Sequence, residues 1–545
     1  MSSIINQGFH IALAESTFRD IKSNTVKFYY FIGKALPYGI SDEPETPNAT
    51  FHYEQQTKRD IVLVKRVSIN DISFVIPRID WSNGTVYDHY DDSYSATNLA
   101  NSGASSLETA KFYIVTSSNN VYKCLNNNNN SPSLIQPSNT DNLPFKESDG
   151  YIWKYMYSIP LILQRKFMTP AFIPVTTSMS SRYYNNGGID NVVVLNGGSG
   201  YHQDLTSISI VSSTGKDAAI RADVDNITGA ITGVIIDDTG ESYLDVEYQV
   251  LDSHETDPGS GAILTSSTDF GTVTTQQSNV ELSATNGSIE HIKVETKGVD
   301  YVFNTPEDLI NCITVTGDGQ GCTAIPVLNS SNQIESITIT NSGYDYTFAN
   351  ITFSNSIGHG ASARAIISPF GGHGKNAIKE LFGNRILFST SIHKDNINGF
   401  VIDNDYRQFG IIKNPMGADS LPYSGIIGTP CYSISTTGLF SLSNYPNDTI
   451  LNLTTGSHSG KEFVVIAAKS NTNGGSLLVQ PKDNAPLAVT NSLSVTTNPS
   501  IIFRIDSLTI PSINPFSGDL LYIDNRHSFY QSNEQTISLQ TTIKF

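Results

Sequence analysis

Charge is scarce in this sequence: 15% of its 545 residues are Asp, Glu, Lys or Arg, against about 25% in an average globular chain. Basic residues are scarcer still, 33 against 51 acids, for a formal charge of −18. A phosphate-backbone binder needs the opposite sign, so no nucleic-acid partner is expected. Cysteine is nearly missing. Cys124, Cys312, Cys322 and Cys431 include no C-x-x-C pair and make neither a disulfide framework nor a zinc ligand set. Reduced, buried thiols are expected, although Cys312 and Cys322 would face each other if the segment between them were a hairpin turn, and a bridge there has demanding geometry. Long apolar runs are missing too. The best, Phe463 to Ala468, stops after six residues, so no bilayer span or membrane insertion is expected. The first residues lack the basic and continuous apolar regions of a secretory signal, which makes synthesis in a cytoplasm the expectation.

Apolar stripes at helical spacing are few. Two short helices are predicted, Ser16 to Lys22 with Ser16 as its cap, and Asn376 to Phe382, where Ala377, Ile378 and Leu381 share a face. Alternation with period two takes their place. The closing residues set Ile537, Leu539, Thr541, Ile543 and Phe545 on one face, and Val26 to Ile32, Asp60 to Val67 and Tyr151 to Ile159 read as further strands. Residues 93–106 and 126–142, the latter with five consecutive Asn, read as surface loops. Hydrophobic residues at 38%, with 25 Phe and 26 Tyr, suffice for several cores and exclude wholesale disorder. At about 150 residues per domain the chain makes three to four domains. The fold class is mainly β and multi-domain: a β-sandwich-like core, few short helices and an inserted array of four β repeats.

Those repeats are the strongest signal. Ile189, Val192, Val194, Gly198 and Tyr201 share a spacing with Ile231, Val234, Ile236, Gly240 and Tyr243, with Ile289, Ile292, Val294, Gly298 and Tyr301, and with Ile334, Ile337, Ile339, Gly343 and Tyr346. A second short strand follows each copy, and then a glycine turn leads into alanine, as at Gly215 to Ala218 and Gly358 to Ala361. Branched residues bury one strand face, glycine frees the turn, and the tyrosine ring covers it. One unit cannot bury that face alone, so the units pack on one another. Their starts lie 42, 58 and 45 residues apart, which leaves both a continuous β-helix and separate modules open.

Candidate chemical sites each lack a required residue. Gly371 to Lys375 ends like a phosphate loop, but its first glycine position holds Pro369 and Asn376 lacks the magnesium-binding hydroxyl; Gly460-Lys461 fails likewise at Thr455 and Glu462. Asp223, Asp225 and Gly229 begin like a calcium loop whose twelfth residue is Val234. Gly197 to Gly200 resembles part of a calcium nonapeptide, with His202 where Asp belongs. Asp80, Asp88, Asp91 and Asp92 near Trp81 are the acids a glycosidase would draw on, and a solvated acidic loop is the plainer reading. No catalytic, cofactor-binding or metal residues are therefore assigned, and no cofactor.

Four fragments outside the repeats, Phe74–Trp81 (FVIPRIDW), Ser148–Tyr155 (SDGYIWKY) followed by Ile159-Pro160, Tyr406–Pro415 (YRQFGIIKNP) and Gly518–Arg526 (GDLLYIDNR), occur in the order found in a baseplate wedge subunit of T-even-type, contractile-tailed bacteriophages. The closing strand to Phe545 is similar to that family's end. Softer matches are Thr17–Arg19, Phe31–Gly33 and Gly371–Gly374. The resemblance implies a mostly β structural virion protein of the tail baseplate, assembled in the host cytoplasm, that homodimerises, contacts other wedge proteins, with tail-fibre components as further candidates, and is not an enzyme. It divides the chain into residues 1–180 of a family-like core, an inserted repeat module at 187–368, core again at 370–424, a β-rich expansion at 425–510, and C-terminal core strands at 511–545. A host-binding adhesin of the tail and a tail-associated glycan depolymerase are the alternatives.

Overall fold

A computed structural model describes residues 7–23, 26–177, 188–189, 192–243, 245–266, 275–393, 396–397, 399–401, 403–482, 485–532 and 537–545. Strand makes up 45% and helix 11%, so the protein is mainly β, with multiple sheets and several separate cores. The expected first residue of the repeat insertion, 187, lies outside the described residues.

Two antiparallel sheets built from both ends of the chain form the core. One runs in the order Ile427–Gly428, Ile61–Arg66, Phe28–Gly33, Asn404–Lys413, Asp519–Gln531, and the other Ile537–Lys544, Arg385–Ile392, Ile72–Pro77, Phe172–Pro174. Alternation sorts the side chains of Phe28–Gly33: Phe28, Tyr30 and Ile32 enter the main cluster with Phe74, Ile76, Ile386 and Phe388, while Tyr29 and Phe31 enter a second with Ile61, Val64 and Ile412. The Tyr30 hydroxyl donates to the Phe388 carbonyl at 3.1 Å, satisfying its polar tip inside the core.

The helix over Gln7–Ser23 corrects the predicted start at Ser16, which is mid-helix. Ile11, Ala14, Phe18 and Ile21 recur on its buried face, a stripe diluted in the sequence by polar neighbours. The short second helix is Ala377–Glu380, with the Asn376 side chain accepting from Lys379 N–H as its cap.

A third sheet, Tyr113–Val115, Asn120–Asn126, Ile152–Ser158, Phe145–Lys146, supports an aromatic cluster of Tyr87, Tyr122, Tyr151, Trp153 and Tyr155. The loop at 126–142 is less superficial than expected. Asn127 and Ser133 are buried, and Asn127 donates to the Tyr87 carbonyl. A seven-stranded sheet spanning Tyr432–Thr437 to Ser507–Thr509 has its own core around Leu451, Phe463, Val465, Leu477 and Phe503. It is tied to the main cluster by Ile466 and Leu478 on the alternate faces of the same strands.

The repeats resolve into two modules. Each repeat is three strands, and paired repeats exchange them reciprocally: Val192–Ser199 pairs with Ser260–Ser266, Thr206–Val211 with Glu247–Asp252, and Lys216–Val224 with Ile231–Glu241. The third and fourth repeats follow the same scheme, Ile289–Val299 with His359–Ile367, Ile313–Gly317 with Ala349–Phe353, and Gln320–Leu328 with Ile334–Tyr344. Each tyrosine caps the partner repeat. The Tyr243 ring lies where a Cβ on Gly215 would stand, and Ala218 N–H donates to its hydroxyl at 3.2 Å; Tyr201, Tyr301 and Tyr346 do the same over Gly259, Gly358 and Gly319. Gly240 adopts φ 62° with the Lys216 carbonyl 2.5 Å from any Cβ, so both conformation and space require glycine. The 58-residue step holds the helix Thr275–Ser283, whose Val280 is fully buried in the aromatic cluster. Cys312 and Cys322 are free thiols, so the possible bridge is not made.

Candidate functional site

Several polar groups withdrawn from water lie where the modules meet the core. At the second module, Arg364 donates to Asp91 at 2.6 Å, and Asp91 also accepts from the Ser93 hydroxyl and N–H. Burial opposes ionisation of Asp91, but these bonds outweigh it and hold its pKa below the usual carboxylate range. Beside it His89 and His291 meet edge-on with ring centroids 5.4 Å apart, and Asn126 bonds His291 Nδ1 at 3.0 Å. Burial lowers the pKa of His89 to about 4 against the pull of Asp91, and burial reinforced by His89 lowers that of His291 to about 3.

Deeper in the core, Lys123 and Glu380 form a fully enclosed ion pair at 2.5 Å. Glu380 also accepts from the N–H groups of Gly374 and Asn376, and the Lys123 ammonium sits 4.5 Å from the Tyr90 ring centroid. The Gly371–Lys375 segment is thus a turn that delivers backbone donors to a buried carboxylate. His373 packs perpendicular to Tyr90.

At the first module, Arg221 pairs with Asp237, and core Lys65 approaches Asp237 at 3.9 Å while donating to the Ser391 carbonyl at 2.9 Å. Burial, with Lys65 adding to it, lowers the pKa of His393 nearby to about 4. These groups are joints: Arg364 faces Asp91, Lys123 faces Glu380, and Arg221 and Lys65 face Asp237.

A cavity of 440 Å³ opens beside the second joint, between Ile334–Tyr344, the start of Ile289–Val299 and the segment Leu143–Lys146. The four acids near Trp81 do not line it. Asp80 pairs with Arg78, Asp88 accepts from Ser102 and Lys111 N–H, and Asp91 is held by Arg364. Gly460 lies in a turn after Leu453, and Asp225 accepts from Ile227 and Thr228 N–H as a loop cap. His202 pairs with Asp252 at 2.8 Å. Among the described residues no three His, Cys, Asp or Glu are grouped to hold a metal ion. Sequence reasoning missed both joints, because Arg221 and Arg364 find their acids through strand pairing and module docking; their shared position within the repeats was the available signal.

Compared with known proteins, the chain matches no family model and no curated protein.

Proposed function

We infer that the protein is a structural subunit of the baseplate wedge of a contractile phage tail, acting by protein–protein contact during assembly and contraction, and not by catalysis. One observation carries this reading: the four fragments that resemble the wedge family converge on one core. Phe74, Ile76, Ile159, Tyr406, Phe409 and Ile411 share a single buried cluster with Tyr522 packed against it, while Tyr151, Trp153 and Tyr155 enter the aromatic cluster beside it, and Tyr406–Pro415 and Gly518–Arg526 supply paired neighbouring strands, Ile411 opposite Tyr522. Segments more than 300 residues apart in sequence thus build the same scaffold, and the additions relative to the family, repeats and expansion, have cores of their own while Ile366, Ile466 and Leu478 join them to it.

On this reading the chain homodimerises, takes its place in the wedge in the host cytoplasm, and is carried in the virion. Large complementary surfaces that rearrange between two states are the physical basis of such a role. The test is cryo-electron microscopy of purified tails. Density for the two-ended core in each wedge is the expected result. Absence of the chain from the baseplate, or measurable hydrolysis of host glycan by the purified protein, defeats the proposal.

A further inference from the structure

Among the described residues the strand Ile334–Tyr344 pairs only with Gln320–Leu328, in a two-stranded ribbon. Among the described residues its opposite edge, over residues 335–342, makes no other backbone hydrogen bond, although Ile289–Val299 lies beside it and Ser342 donates to Glu290. That edge runs along the 440 Å³ cavity, and every residue from Glu335 to Ser342 lines it, as happens when a strand presents its edge rather than a face. Across the cavity stands a second unpaired edge, Phe145–Lys146, the outermost strand of its sheet. Exposed edges are templates for pairing with another chain unless something blunts them. Here neither proline nor charge does so between Ser336 and Ser342, and the cavity is within the ~300–1,000 Å³ range of ligand sites.

We propose that this slot accepts one extended, basic peptide strand from a partner protein by β-strand addition. The side chains state its chemistry. Ile337 and Ile339 turn to the core of the second module and Thr338 and Thr340 to the exposed strand face, so a strand added at this edge continues the alternation of apolar with polar residues. On the walls Glu290 and Lys146 oppose each other and Glu335 is paired with Lys297 at 2.6 Å, so the charge is set by the modules around the slot. The second module as a whole, residues 289–367, has eight acids against three bases, and the first, residues 192–266, has twelve against two. Together they hold −15 of the −18, so an approaching basic strand is steered to the modules and an acidic one repelled. The side chains of Asn129, Lys146, Ser336 and Thr338 line the cavity.

This inference is independent of the virion reading, since its test needs only the purified full chain. The probe is a blocked ten-residue peptide alternating lysine with valine, followed by fluorescence anisotropy and by amide hydrogen exchange. Saturable binding with new protection at residues 335–342 and 145–146 is expected. Thr338→Lys weakens it and Lys146→Glu strengthens it, each about two- to fivefold, as for a single partly exposed charge. Four results overturn the proposal: no protection at either edge, equal binding of the peptide alternating glutamate with valine, undiminished binding of a version whose alternate backbone nitrogens are methylated, or occupation of the cavity by an N-acetylglucosamine tetramer in place of the peptide.

Discussion

Arg364, on the last strand of the fourth repeat, binds Asp91 of the core at 2.6 Å while its Nε lies 3.8 Å from Glu295 of the third repeat. The first module repeats the arrangement. Arg221 occupies the same repeat position as Arg364, and Asp237 the same position as Glu295, with core Lys65 in the place of Asp91. Both modules therefore dock on the core through one inherited ion pair, although the core answers one with an acid and the other with a base.

Arg364→Ala should loosen the second module by about 2 kcal/mol, less than a fully enclosed pair because Arg364 is 29% exposed, with the loss arising from a carboxylate left buried. Hydrogen exchange is the measurement: faster exchange along Ile289–Val299 and His359–Ile367, with the first module unchanged. Uniform acceleration through the chain would contradict it.

Acid should weaken the same joint. His89 and His291 are held neutral when docked, with pKa values of about 4 and 3 against about 6.5 when exposed. The undocked state therefore binds more protons below pH 6.5. Stability contributed by the joint is full above that pH and falls as pH drops towards 4, by on the order of a few kcal/mol. Limited proteolysis between pH 7.5 and 4.5 should show the loss, and a His89→Gln, His291→Gln double variant should flatten it.

Within a module, Gly240→Ala should cost more than Tyr243→Phe. The phenylalanine loses one hydrogen bond, to Ala218 N–H, worth about 1 kcal/mol. The alanine meets the Lys216 carbonyl at φ 62°, and strain with displacement of the paired strand costs about 1–3 kcal/mol. Thermal denaturation of the two variants orders them; a reversed order would refute the reciprocal cap.

Each module should be removable. Val192 is paired with Ser266, and Ile289 with Ile367, so the ends of each insertion are adjacent strand partners and a short Gly-Ser link can replace everything between them. Deleting residues 192–266 should leave a cooperative unfolding transition for the rest. Deleting the linker helix Thr275–Ser283 should not, because Val280 fills the aromatic cluster and Gln277 donates to the Thr176 carbonyl. Calorimetry of the two deletions distinguishes them.

The sequence by itself determined the β class, the four repeats and the positions of Gly240, Tyr243 and their equivalents, because each is a local matter of period, φ or ring size. Helices with weak stripes escaped it: Phe51–Asp60 behind its Thr50 cap, Leu161–Phe167, Thr275–Ser283, and Pro306–Ile310, whose Thr305 and Asp308 capping box was legible in principle. What only the tertiary structure decided is which repeat pairs with which. A strand edge is satisfied by any partner of matching register, and the observed pairing of first with second and third with fourth comes with docking on the core, where Arg221 and Arg364 meet the module and core acids and the buried charges of Lys65 and Asp91 are tolerable only in the finished assembly.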